Sequence, residues 1–141
     1  MTADDIIADL KLQPHPEGGW YRQTWVADAP IGVRPSGTAI CFLLKAGQIS
    51  HWHKVDADEI WMYHSGAPLA LSISETDFGP AQLHILTPNL DKGAPQSVVP
   101  KGYWQSAHST GDYTLVSCTV SPGFRFEGFV LAPPGFDIPG V

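Results

Sequence analysis

Ser50-His51-Trp52-His53-Lys54-Val55-Asp56-Ala57-Asp58-Glu59-Ile60-Trp61 is the stretch on which the reading of this chain turns. In an extended strand, residues i and i+2 point to one face. The pattern therefore predicts that His51 and His53 project together. Glu59 opens the next strand after an acidic loop, and a hairpin would fold it back beside the two imidazoles. Two histidines and a carboxylate with open positions can hold a divalent ion such as Fe, Mn, Ni or Zn. With six histidines in 141 residues, an H-x-H pair alone is weak, at about 0.25 chance occurrences. Requiring the downstream Glu59 and then Gly66 cuts the expectation to the order of 0.003.

Outward from this stretch the chain reads as strand and turn. Tyr21–Val26, Thr38–Lys45, Gln48–His53, Glu59–Tyr63, Leu69–Ser74, Ala81–Leu86, Gln96–Val99, Trp104–His108, Tyr113–Thr119 and Phe126–Leu131 carry strand-length apolar or alternating patterns. Glycine and proline punctuate the gaps between them. The predicted class is all-β, a sandwich or barrel. One helix is expected near the start, Thr2 to about Leu10, with Thr2 as cap and Asp4 and Asp5 at its positive end. Residues 1–13 then form a helical N-terminal segment. Residues 133–141, rich in proline and glycine, form an extended tail, and residues 1–141 make one domain.

Composition narrows the partners. Fourteen glycines and 13 prolines argue against a helical bundle, and 43% hydrophobic residues argue against disorder. Eight basic against 14 acidic residues give a formal net charge of −6, and the cations do not cluster along the sequence. Nucleic acid and membrane surfaces need a basic patch, so neither is an expected partner. Cys41 and Cys118 lie inside apolar runs and read as small buried hydrophobes. No basic leader or long apolar run is visible, and a cytoplasmic location is the expectation.

Gly47-x₃-His51-Trp52-His53-x₅-Glu59-x₆-Gly66 resembles the first motif of the cupin superfamily. Pro100-Lys101-Gly102-Tyr103-Trp104-Gln105 resembles the second, with Gln105 where a histidine ligand is usual. Pro14–Arg22, Phe42–Gly47, Ser50–Trp61, Val99–Gln105 and Val116–Phe124 look most like the cupin-5 group of small single-domain cupins, in which glutamine at that place is usual. The resemblance implies a double-stranded β-helix, the cupin jelly-roll barrel. It also implies a homodimer exchanging terminal segments, and His51, His53, Glu59 and Gln105 as metal ligands. An amide oxygen is a weaker ligand than imidazole, so metal affinity should fall. The group's activity is not settled, so no substrate follows.

On the strand after the acidic loop, Glu59, Trp61 and Tyr63 share one face. Together with His51 and His53 they could line a single cavity, with Arg22, Trp61, Tyr103 and Gln105 as further pocket residues. Three functions remain open. One is a metal-dependent enzyme acting on a small sugar-like or aromatic molecule. Another is a metal-free isomerase or epimerase with His51 or His53 as base, Asp56, Asp58 or Glu59 as orienter and Tyr63 or Tyr103 as acid. The third is a non-catalytic module that binds a small ligand. The bland reading of His51, His53 and Glu59 is a hydrogen-bonded polar cluster without metal. For Arg22 it is a buried salt bridge to Glu17 or Glu59, and for His15 it is backbone shaping.

Overall fold

Thr2 opens helix α1 (Ala3–Leu10) in the computed structural model, which describes residues 1–141. The Thr2 hydroxyl accepts from the Asp5 N–H, and the Asp5 carboxylate accepts from the Thr2 N–H. Two amides that a helix start leaves unpaired are thereby satisfied. The helix stops at Lys11, which turns left-handed at φ 56°. Ile6 and Leu12 pack against Leu43, and the Arg22 Nε donates to the Leu10 carbonyl at 2.8 Å. No helix is long and apolar enough to cross a membrane.

Eleven strands follow: β1 (Gln13–Pro14), β2 (Trp20–Val26), β3 (Thr38–Lys45), β4 (Ile49–Val55), β5 (Asp58–Gly66), β6 (Leu69–Ser74), β7 (Gln82–Leu86), β8 (Gln96–Val99), β9 (Trp104–Ser109), β10 (Tyr113–Ser121) and β11 (Phe129–Leu131). They form a six-stranded sheet, β1-β2-β3-β10-β5-β8, and a five-stranded sheet, β11-β4-β9-β6-β7. All pairings within the sheets are antiparallel. This is the jelly-roll barrel that the strand pattern and motifs predict.

The continuous apolar run of β3 has a simple cause. Phe42 and Leu44 enter the main core with Trp61, Leu69, Leu71, Leu86 and Val116, while Leu43 lies under α1. A strand covered on both faces reads as unbroken hydrophobicity. Each fully buried side chain of this kind contributes about 1.5–3 kcal/mol.

Strand β4 breaks the alternation expected of it. Its pairing with β9 steps from Ser50↔Ala107 to His53↔Gln105, so β4 spends three residues where β9 spends two. The extra residue makes a β-bulge. Ser50 and His53 are both buried, at 0% and 2% exposure. Trp52 instead joins a separate cluster with Ala81, Trp104, Ala132 and Ile138. There its indole Nε1 donates to Asp137 at 2.9 Å. The 133–141 tail is thus held by burial and by hydrogen bonds.

Phe126–Leu131, expected as one strand, is divided. Phe126–Gly128 form a 3₁₀ turn and only Phe129–Leu131 pair, with β4. The Gly128 N–H bonds to the Arg125 carbonyl, which closes the turn.

The turn before β2 depends on Gly18, at φ +107°. A Cβ there would overlap the Ile49 carbonyl oxygen of β4. Gly18→Ala should therefore cost at least about 2 kcal/mol, from backbone strain and overlap together. Gly47→Ala also sits at positive φ (+80°) but meets nothing within 4 Å, and should cost only about 1 kcal/mol. Urea unfolding of the two variants checks the difference, and equal losses would contradict the packing account.

Candidate functional site

A cavity of about 130 Å³ opens inside the barrel, lined chiefly by β2, β3, β4, β5, β10 and the segment 124–129. Its polar groups include His15, Glu17, His53, Glu59 and Cys118, and its rings include Tyr21, Phe124, Phe126 and Phe129. The rings pack edge to face or tilted: Phe124 and Phe126 are 5.0 Å apart, and His53 and Phe129 are 5.5 Å apart. The space suits a ring-sized molecule.

Glu17 is the hub of the polar end. Its carboxylate Oε2 lies 2.7 Å from His53 Nδ1. The Nδ1–H also donates to the His51 carbonyl at 2.7 Å. Glu17 Oε2 accepts no aligned hydrogen bond, so its hold on His53 is an off-axis charge contact. The Ser50 hydroxyl lies beside the same carboxylate. His15 is placed differently: its Nδ1 accepts the Glu17 N–H at 3.1 Å, so in the neutral ring the proton sits on Nε2. Burial pushes the His15 pKa down, the Glu17 charge works upward, the His53 charge works downward again, and burial prevails. The 3.6 Å approach of its Nδ1 to Glu17 is therefore no ion pair.

Burial alone would lower the His53 pKa, but Glu17's charge and contact override it, and with Glu59 hold the imidazolium up at about 9. For Glu17 burial works upward, and the His53 charge prevails and holds the carboxyl below its ordinary range. Glu59 has no such close partner. Burial drives it up, His53 pulls it down, Glu17 pushes it up again, and it settles at about 7. Two buried carboxyls in one cavity thus part company by environment. Cys118, pushed well above its ordinary range by burial and by the Glu59 and Glu17 charges, stays a thiol.

Of the residues picked out from sequence, His53 and Glu59 face this cavity. His51 does not. The bulge turns it away, and its Nε2–H donates to the Pro133 carbonyl of the tail at 3.0 Å. Gln105 is completely buried, and both ends of its amide are in use. Its Oε1 accepts the Trp61 Nε1–H at 2.6 Å, and its Nε2–H donates to Glu59 Oε1 at 2.9 Å. Trp61 is core rather than wall. The Tyr63 hydroxyl donates to the Gly66 carbonyl, Tyr103 borders a separate groove, and Arg22 is spent on helix α1. Sequence reasoning passed over the site roles of His15, Glu17, Cys118 and the three phenylalanines. The available signal was Pro14-His15-Pro16-Glu17-Gly18-Gly19, whose paired glycines mark a backbone forced close to another strand.

The four expected metal donors do not converge. His51 and Gln105 are committed elsewhere, which leaves the His53 Nε2 and one Glu59 oxygen. His15 cannot join them without giving up the Glu17 N–H, because a ring bound through Nε2 carries its proton on Nδ1. No three His, Cys, Asp or Glu side chains are grouped to hold an ion. The donor set does not fit a resident divalent cation.

A closed antiparallel barrel around one small polar-and-aromatic cavity defines a protein of the cupin class. The Cupin superfamily (DUF985) model, Cupin_5, matches residues 4–132, and the chain belongs to that family. A Shewanella oneidensis protein solved by X-ray crystallography is 36% identical, with TM-score 0.87 over 94% of this chain and 85% of that one. A hypothetical protein from Leishmania major is 29% identical, with TM-score 0.87 over 96% and 90%. An oxalate decarboxylase variant from Bacillus subtilis shares the fold alone, at 18% identity and TM-score 0.63, over 84% of this chain and 29% of that one. No curated protein matches the chain.

The shifted groups dictate how stability follows pH. Glu59 holds its proton in the folded chain up to about 7, against 4.5 ordinarily. Folding therefore loses stability as pH rises through that window. His53, raised from 6.5 to about 9, contributes stability that is complete below 6.5 and lost toward 9. Unfolding free energy should thus fall from about pH 4.5 to 9 on account of these two groups. Glu59→Gln should gain on the wild type between pH 4.5 and 7 and keep the decline above 6.5. Denaturant titrations across that range check this, and a pH-independent difference between the two proteins would contradict it.

Proposed function

We propose that the cavity binds a small molecule and moves a proton on it, an isomerase-type activity run by Glu59 and His53. One observation carries the reading. His53 and Glu59 open into the same aromatic-walled cavity, and each has its second polar atom pinned, His53 Nδ1 by Glu17 and the His51 carbonyl, Glu59 Oε1 by Gln105. Groups fixed in this way can act on a third molecule without reorganising.

The chemistry suits a carbon acid beside a carbonyl. The Glu59 carboxylate takes the proton from carbon. The electron pair of the broken C–H bond moves onto the carbonyl oxygen, and the protonated His53 donates to that oxygen as charge develops. Return of the proton from Glu59 to the same carbon, with the electron pair falling back from oxygen as His53 recovers its proton, restores the carbonyl and the carboxylate. Return to the former carbonyl carbon has the neutral His53 take the proton of a hydroxyl on the carbon first deprotonated, as that hydroxyl's oxygen becomes the new carbonyl. Glu17 holds His53 charged and oriented. Gln105 acts through Glu59 and touches no substrate. The tyrosines expected from sequence as acids, Tyr63 and Tyr103, have no part in this.

The test uses phenylpyruvate and dihydroxyacetone as probes in deuterium oxide, with proton NMR of the exchanging carbon. The protein should speed exchange above buffer for at least one probe. Glu59→Gln should lower the rate by about 10²–10⁴-fold. The rate should rise with pH through about 7 as Glu59 ionises and fall near 9 as His53 discharges. Exchange no faster than in buffer for both probes, or full activity in Glu59→Gln, would overturn the assignment.

A further inference from the structure

Two imidazoles line the cavity, and the proton transfer uses only that of His53. The other, His15, has a side chain 6% exposed. Its Nδ1 accepts the Glu17 N–H at 3.1 Å, a bond that a proton on Nδ1 would break. The ring is thereby held neutral, with its proton on Nε2. Burial lowers its pKa as well. The Nε2–H donates to no protein atom, and it is not sealed in protein as the unpaired Glu17 Oε2 and Ser50 Oγ are. The ring packs edge-on against Tyr21 and Phe42, at centroid distances of 4.4 and 5.7 Å. A buried ring that lines the cavity thus leaves its free donor to the cavity.

His53 stands beside it. Both Nδ1 atoms face the one Glu17 carboxylate, His53 at 2.7 Å from Oε2 and His15 at 3.6 Å from Oε1. Both rings lie against Phe129, at centroid distances of 5.5 and 6.3 Å. The hollow therefore receives two neighbouring Nε2–H donors, one charged and one neutral, with Glu59 as the carboxyl. No lysine or arginine lines it. Its one cation, the His53 imidazolium, is matched by Glu17, so an anionic ligand would be buried against no unpaired positive charge. We infer that the ligand is an uncharged α-hydroxycarbonyl compound, with its carbonyl oxygen on His53 and its adjacent hydroxyl oxygen on His15. Two donors side by side suit oxygens on neighbouring carbons, and the hydroxyl-bearing carbon carries the C–H that Glu59 would take. His15, held neutral, gives and takes no proton; it selects the molecule that fits. The inference rests on the proposal that His53 and Glu59 act on a ligand in this cavity. It adds the second oxygen, the lack of charge and the residue that reads the hydroxyl.

The test is a calorimetric titration with 2-hydroxyacetophenone, acetophenone and mandelate. In the wild type, 2-hydroxyacetophenone should bind about three- to tenfold more tightly than acetophenone, which lacks the hydroxyl. It should bind at least about tenfold more tightly than mandelate, which keeps the hydroxyl but carries a carboxylate. His15→Asn can still accept the Glu17 N–H, since asparagine bonds the amide two residues on, but it has no donor at the Nε2 position. This variant should erase the margin over acetophenone and leave acetophenone itself unchanged. Of the two exchange probes, dihydroxyacetone should respond and the anion phenylpyruvate should not. Equal wild-type affinity for 2-hydroxyacetophenone and acetophenone would overturn the inference while leaving the ligand site intact. So would mandelate binding as tightly as 2-hydroxyacetophenone, exchange of phenylpyruvate alone, or a margin that survives in His15→Asn. Loss of acetophenone together with the margin in that variant would make His15 a structural residue and overturn its assigned role. Should the variant not fold, the wild-type comparisons still decide. If no probe binds or exchanges in the wild type, the ligand-site reading itself fails.

Discussion

A buried carboxylate pressed against a buried imidazolium organises this barrel. Removing Glu17 and His53 from water costs several kcal/mol per ion, and their attraction offsets that only at close range. The 2.7 Å contact supplies the range, and the backbone supplies the closeness. Gly18 and Gly19 both take positive φ, which lets the chain turn tightly beside β4. The His51 N–H then donates to the Glu17 carbonyl at 2.8 Å. His51 thus serves the site through its peptide group, while its ring holds the tail.

The charge on that pair sets the chemistry of its neighbour. Glu59 is left as the cavity carboxyl without a close ion partner, and so as the one whose proton is loosely held near neutrality. Its geometry is fixed by a relay in which direction matters. The indole of Trp61 can only donate, so Gln105 must receive it through Oε1 and present its amide N–H to Glu59. The glutamine at this motif position is explained by that chain.

A cupin barrel does not dictate a cupin metal site. The fold is shared at 18% identity, and in this chain one extra residue in β4 turns His51 away from the hollow. Function resides in which side chains reach the hollow. In this chain those are one imidazolium, one ionisable carboxyl and a set of aromatic rings.

The strand run, the turn residues and the two motifs made the barrel legible in advance, because periodicity and turn chemistry are local properties. Helix α1 was legible for the same reason, down to its Thr2 cap. Spacing singled out His53 and Glu59, and both line the cavity. The error at His51 came from taking strict alternation for granted. A bulge depends on the register between β4 and β9, and a register belongs to two strands at once. Glu17 and His15 were hidden for a related reason. Their partners come from distant segments, so their charges acquire meaning only when the chain closes. Sequence alone determined the barrel and two of its polar residues. The tertiary structure decided which side chains face the hollow, because facing is set by pairing and packing across the sheets.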